Sequence, residues 1–385
     1  MASSIPSSSF GTPPSILSIQ ELAKQPMATV PQIFLLEDQE RPVLRENAAL
    51  PDIPTIDMKR LIMSETTDFE LDKLHSACKE WGFFQGQTDP YISWTLSCFS
   101  NKIIETNNWV DAQLVNHGVS SSLVEDLKHE IVEFYKLPLE EKMKYKTPAD
   151  AEGYGPSIIR SEDQKLDWGD RFYMLTNPIH RRKPHLLPQL PPSLRDNLEL
   201  YISDSQKLAM RLLGLMAKAM KLDKREMEEL FDDGKQAVRM TYYPPCPQSE
   251  MVMGIAPHSD ATGITILLQV NEVDGLQIKK DGVWIPVNVL PDALVVNVGD
   301  ILEIVSNGMY TSIEHRATVN STKERISIAM FFSPKFSAEI GPAAGLITPQ
   351  NLPVFKRIGM EKYYEDFFSR KLDGKSYLEH MKIKK

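Results

Sequence analysis

The chain has 385 residues, of which 42% are apolar and 25% charged, and its 43 basic and 52 acidic side chains leave a formal charge of −9. This is the profile of a globular protein with one large core or two modest ones, and it excludes a disordered or fibrous chain. No basic excess is left to neutralise a phosphate backbone, so nucleic acid is not expected as a partner.

The Ser- and Pro-rich start lacks the basic and apolar stretches of a secretory signal, and its first arginine is Arg41, too late for an Arg-rich transit peptide. Residues 1–50 therefore read as an N-terminal extension, partly disordered. No apolar run approaches the roughly 18 residues that cross a bilayer. Cys78, Cys98 and Cys246 are scattered, with neither a disulfide framework nor zinc-ligand spacing. The expectation is a cytoplasmic protein without a membrane partner.

Residues 51–233 read as a helical and mixed region. Apolar residues recur at helical spacing from Leu71 to Trp81 and from Ser121 to Lys144, with Ser120 to Ser122 as N-cap candidates. A third helix is expected from Ser193 to Met220, with Leu194, Leu198, Tyr201, Leu208, Leu212, Leu215 and Met216 on its apolar side. After Gly234 the pattern changes to short β-branched runs broken by Gly, Pro and Asp: QAVRMTYYPP, GITILLQV, GLQIKKDGVWIPVNV, ALVVNVGDILEIV, TSIEHRATVN and RISIAMFF. Lys280-Asp281-Gly282 is a hairpin signal between two of them. Residues 234–340 thus predict an antiparallel barrel or jelly roll of about eight strands. Residues 341–385 read as a C-terminal helical segment whose Lys- and Glu-rich tail presents a solvated face.

The chemistry-bearing residues lie among the strands. His258 and Asp260 are two apart, which on a strand turns both side chains to one face. Of the later histidines, His315 lies in a strand-like run and His380 in the charged tail, so His315 is the better third ligand. Two imidazoles and one carboxylate suit a non-haem Fe(II) site with open positions, although an isolated H-x-D is more often a hydrogen-bonded core histidine beside a turn. Arg325 and Ser327 alternate in the same way, ahead of a run too apolar for an exposed strand. A guanidinium facing that interior needs an anion, and a bound carboxylate would provide one.

The stretches IPTIDM, ACKEWGFFQ, LVNHGV, SEDQKLDWGDRFY, YYPPCPQ, HSD, DGLQI, VNVGDILEIVSNG, EHRATVN and RISIAMFF resemble, in this order, the plant 2-oxoglutarate- and Fe(II)-dependent dioxygenases. LHSACKEWGFFQ and HRRKPHLLPQLPPSLRD look most like the subgroup of thebaine and codeine O-demethylases and senescence-related-gene-like oxygenases. The resemblance implies a mixed α+β fold, with a double-stranded β-helix core and flanking helices. It implies Fe(II) on His258, Asp260 and His315, and 2-oxoglutarate with its distal carboxylate on Arg325, Ser327 and Tyr243. Dioxygen is the second co-substrate and ascorbate a candidate reductant. Oxidative decarboxylation to succinate and carbon dioxide would drive hydroxylation or O-demethylation of a small, aromatic plant metabolite of alkaloid or flavonoid type. Phe331 matches a position that can stack on such a substrate, its alternative role being core packing. Tyr154 and Phe172 stand equally between pocket wall and core. A monomer is expected.

Two features depart from the family. Thr241 stands where Asn usually precedes the paired tyrosines, and it cannot reproduce an amide's donor and acceptor. Residues 86–113 interrupt a stretch that runs on as FFQLVNHGV or similar in the family, and they look like a translated intron rather than a lid. The competing functional readings are a related iron oxidase that uses no 2-oxoglutarate, and a non-catalytic product inactivated by the interruption.

Overall fold

The computed structural model describes residues 17–27, 29–37, 52–62, 67–86, 118–147, 152–157, 164–291, 293–369 and 374–384. Most of the interruption, residues 87–113, and the Leu114–Asn116 stretch that follows it lie outside the described residues.

Two sheets face each other. The larger has eight strands, in the order β1 (Thr55–Ile56), β2 (Phe83–Gly86), β10 (Leu294–Val298), β7 (Ile264–Gln269), β12 (Arg325–Ser333), β5 (Lys235–Tyr243), β4 (Asp170–Asn177) and β3 (Gly153–Pro156). The smaller has four: β6 (Ile255–His258), β11 (His315–Ala317), β8 (Leu276–Lys280) and β9 (Val283–Pro286). Every pairing is antiparallel except that of β1 with β2. This is the jelly roll that the strand pattern implies. Along β12, Ile326, Ile328, Met330 and Phe332 point away from the smaller sheet into a core shared with the helices, as do Val238, Met240 and Tyr242 of β5. The residues between them, Arg325, Ser327, Ala329 and Phe331, share the opposite, concave face with Arg239, Thr241 and Tyr243. Between the sheets, Phe83 and Val295 meet Leu276, Ile278 and Ile285.

The long helix Leu194–Ala219 buries Leu194, Leu198, Tyr201, Leu208, Leu212 and Met216 against the larger sheet, with Leu215 half-buried at the margin of the stripe. Ser120 caps the helix Ser121–Lys136, its hydroxyl accepting from the Leu123 amide. The helical stretch 71–81 is an α-helix, Thr67–Ser76, running into a π-helical turn, Ala77–Trp81, that Gly82 ends at a φ of +62°. A Cβ on Gly82 would lie 2.2 Å from the Thr311 carbonyl oxygen, so only glycine fits there. At the hairpin, Asp281 and Gly282 take φ values of +50° and +78° between β8 and β9, the pair of left-handed residues that this turn demands.

Three readings change. ALVVNVGDILEIV is not one strand: β10 ends at Val298 and Asp300–Val305 is a helix, all six residues of which are buried. Gly299 precedes the break, and a six-residue helix buried on all sides, Asp300 and Glu303 included, is too short for its periodicity to separate it from a buried strand. The C-terminal segment is not merely a solvated face, because Met360, Tyr363, Tyr364, Tyr377, Leu378 and Met381 join the main core. Within the N-terminal extension, Ile19, Val30 and Phe34 are buried against Trp168 and Tyr243 in a second cluster. Tyr154 and Phe172 belong to the helix-side core and not to the concave face.

Candidate active site

His258 ends β6 and His315 begins β11, and the two are directly paired in register. Their ring centroids lie 4.3 Å apart. Asp260 follows two residues after His258, with its Oδ1 3.6 Å from His258 Nε2 and 3.7 Å from His315 Nε2. Among the described residues these three form the one group of His, Cys, Asp and Glu side chains gathered closely enough to share an ion, with ligand atoms within 4.8 Å of one another. In each imidazole Nδ1 is within hydrogen-bonding distance of a backbone carbonyl, Ala256 O at 2.8 Å for His258 and Ile313 O at 3.2 Å for His315. With Nδ1–H donating to those carbonyls, both Nε2 lone pairs face Asp260 Oδ1. The Phe83 ring meets His315 edge-on, at 5.4 Å between centroids.

Asp260 Oδ2 accepts from Thr265 Oγ1 at 2.6 Å and from Asn297 Nδ2 at 2.8 Å. One oxygen is thereby committed to the protein and the other is left for an ion. The backbone around it is held as well, since Asp300 N–H donates to the Asp260 carbonyl and Ser259 Oγ to the Asp300 carboxylate. The electrostatics are those of a cation site. Burial alone would raise the Asp260 pKa, but the two imidazoles and the Thr265 hydroxyl hold it well below the ordinary carboxylate range. Burial, aided by His258, pushes His315 down to about 4, so it is neutral and able to ligate at neutral pH. For His258 burial opposes protonation, yet the contact with Asp260 outweighs it and raises the pKa.

Arg325 and Ser327 lie beyond the triad on the concave face of β12. Arg325 is 2% exposed, and no described carboxylate comes within ion-pairing distance of it. Its guanidinium carbon lies 5.3 Å from the centre of the Tyr243 ring, Nη1 donates to Ser327 Oγ at 3.5 Å, and Nε has no partner. Burial lowers its pKa, with the Tyr243 hydroxyl opposing. Gln269 on β7 is in register with Ser327 and its Oε1 is also without a partner. An anion would satisfy the unpartnered guanidinium N–H, whereas the Gln269 oxygen, an acceptor, calls for a donor. Gly275, from DGLQI, makes room for the Arg325 side chain, because a Cβ there would come within 2.8 Å of Arg325 Cδ. Thr241 is buried in register with Ser327.

Phe331 is the one half-buried side chain of β12, and it belongs to none of the core clusters. It sits in register with Thr265, the residue that orients Asp260. The concave face thus presents, in order along β12, the buried cation, the hydroxyl and an aromatic ring.

Thr265, Asn297, Asp300 and Gln269 were not singled out from the sequence. Asn297 carried a signal, as the one polar side chain in the apolar run LVVNV, where a buried amide requires a partner. Thr265, in a strand that tolerates threonine anywhere, carried none.

A jelly roll with two imidazoles and one carboxylate converging at its mouth is the arrangement of non-haem iron oxygenases. The chain belongs to the 2OG-Fe(II) oxygenase superfamily, whose profile matches residues 234–334, and residues 107–193 match the N-terminal region of non-haem dioxygenases in morphine synthesis. It is 47% identical over 381 residues to oxoglutarate-dependent flavonoid 7-O-demethylase 1 of Ocimum basilicum, covering 98% of this chain and 94% of that protein. It is also 47% identical to codeine O-demethylase of Papaver somniferum, covering 96% of each. Among solved structures, JOX2 in complex with 2OG, Fe and JA superimposes with a TM-score of 0.81 at 30% identity, covering 96% of this chain and 98% of that one. The protein is a 2-oxoglutarate-dependent oxidoreductase with Fe(II) as its metal and a small-molecule substrate.

Proposed function

We propose that His258, Asp260 and His315 hold Fe(II), that Arg325, Ser327 and Tyr243 bind the distal carboxylate of 2-oxoglutarate, and that the enzyme O-demethylates or hydroxylates a small aromatic metabolite of flavonoid or alkaloid type. The observation that carries this reading is the buried Arg325, a cation without a carboxylate partner among the described residues, on the face that the triad closes. Relatives named as a flavonoid and a codeine O-demethylase, each 47% identical, support the substrate class. With iron, 2-oxoglutarate and dioxygen bound, the chemistry supplied is oxidation of the keto acid to succinate and carbon dioxide coupled to insertion of one oxygen atom into a C–H bond. On a methoxy group the product is a hemiacetal, which collapses to formaldehyde and the free hydroxyl. This chain's residues orient and shield that event. Phe331 stacks on the substrate ring, Phe83 packs against His315, and the oriented Asp260 presents one oxygen.

The protein is read as a monomer acting in the cytoplasm. No helix among the described residues is long and apolar enough to cross a membrane. The test is to incubate the iron-loaded enzyme with methoxylated flavonoids and alkaloids and to measure succinate and formaldehyde together. Matched release of both supports O-demethylation, succinate without formaldehyde indicates hydroxylation, and product without succinate removes 2-oxoglutarate from the reaction.

A further inference from the structure

β6, which carries His258, is an edge strand of the smaller sheet: β11 pairs with one side of it and, among the described residues, no strand pairs with the other, where there is only the single bridge from His258 to Gly374. Next to the ligand on this strand stands Ala256, an exposed residue. Both backbone groups of Ala256 are nonetheless taken by side chains. Its carbonyl accepts from His258 Nδ1 at 2.8 Å, and its N–H donates to Asp167 Oδ1 at 3.0 Å. We propose that Asp167 is a positioning residue for iron, holding the backbone of Ala256 through its N–H so that the carbonyl of the same residue sets the tautomer and tilt of the His258 imidazole. The proposal rests on the reading of His258 as an iron ligand.

Asp167 is itself firmly placed. Trp168 N–H donates to the Met253 carbonyl at 2.7 Å, so residues 167 and 168 together fasten the open edge on both sides of Gly254 and Ile255. The Trp168 indole N–H donates to the Pro244 carbonyl at 3.2 Å, and Phe34 packs edge-on to the indole, with ring centroids 5.0 Å apart. The Ser157 hydroxyl donates to the Asp167 carboxylate. A carboxylate has replaced the missing strand neighbour of an edge. Partners that orient a metal-bound histidine through its other nitrogen are worth about 10- to 100-fold in metal affinity. Here that orientation passes through the backbone of one residue, Ala256, to Asp167.

The experiment compares Asp167→Ala, Asp167→Asn and Asp167→Glu with the wild type by anaerobic Fe(II) titration, read by tryptophan fluorescence, and by thermal melting of the metal-free proteins. Asparagine keeps an acceptor oxygen where Oδ1 lies, so D167N should bind Fe(II) within about threefold of the wild type, whereas D167A should weaken by about 10- to 100-fold at an unchanged melting temperature. D167E keeps the charge but moves the acceptor by one methylene, and it too should lose affinity. If D167A does not fold, the order of D167N above D167E carries the test. Fe(II) binding by a folded D167A as tight as the wild type overturns the proposal, and so does D167E surpassing D167N. His258→Ala separates the two levels of the argument. Undiminished iron binding in H258A overturns the ligand assignment, while lost binding in H258A with full binding in D167A overturns the positioning role alone.

Discussion

In the proposed site Asp260 divides its two oxygens between the fold and the metal, and that division is testable. Asn297→Leu or Thr265→Val leaves the three proposed ligands in place but removes one of the two donors to Oδ2, and Fe(II) affinity measured by titration should fall about tenfold for either and further for the pair. At Arg325 the prediction concerns 2-oxoglutarate. Lysine keeps the charge but not the fork, and with charged hydrogen bonds worth about 1.5–3 kcal/mol, Arg325→Lys should raise the 2-oxoglutarate Kd about 10- to 100-fold without changing Fe(II) affinity. The imidazoles set the pH dependence. His258 is raised above its ordinary 6.5, so below that raised value iron must displace a proton, while His315, at about 4, is already neutral there. Iron affinity should therefore be level above the His258 pKa and fall about tenfold per pH unit beneath it, in titrations run across neutrality. A fall steeper than one proton per metal would mean that His315 titrates as well. These first contacts were legible because H-x-D and R-x-S obey the two-residue period of a strand. Their supports were not, because Thr265 and Asn297 reach Asp260 from strands whose pairing no local pattern reveals.

At the scale of elements, the N-terminal strap contributes more than its composition suggests. Ser18 Oγ and the amides of Ile19 and Gln20 all donate to the buried carboxylate of Asp170 on β4, with Tyr154 the fourth donor. Removing residues 1–37 takes away three of the four donors and leaves a buried carboxylate largely uncompensated, a loss on the order of 3–5 kcal/mol. The truncated protein should melt at a markedly lower temperature, and Asp170→Ala in that background should recover part of the loss. If truncation leaves melting unchanged, the strap is not integral. The helix Leu194–Ala219 and the β8–β9 hairpin were legible because a 3.6-residue stripe and an Asp-Gly turn are local signals. The strap was not, since Ile19 and Phe34 become core residues only through Trp168, more than a hundred positions away. DILEIV is hidden for a different reason: it is short and buried on every side, its two acids included, and only the preceding glycine marks where the strand stops.

For the whole molecule the interruption is the decisive feature. β2 is an interior strand of the larger sheet, with β1 on one side and β10 on the other, and its last residue, Gly86, pairs with Ile56 and with Leu294. Deleting residues 86–113 puts Leu114 in the place of Gly86, where a Cβ would meet nothing nearer than Met58 Cγ at 3.6 Å, an ordinary contact. The shortened chain should fold, melt higher and turn over faster in a side-by-side melt and succinate assay. A less stable or inactive product would make the segment an integral lid. The chain also closes on itself at the metal. His258 forms a parallel bridge with Gly374, and Lys375 donates to the Glu303 carboxylate at 2.9 Å, which in turn receives the Ser312 amide ahead of His315. During synthesis on the ribosome, therefore, all three ligand side chains emerge well before the stretch that braces them. A nascent protein stalled short of Gly374 would therefore display the triad while holding metal weakly.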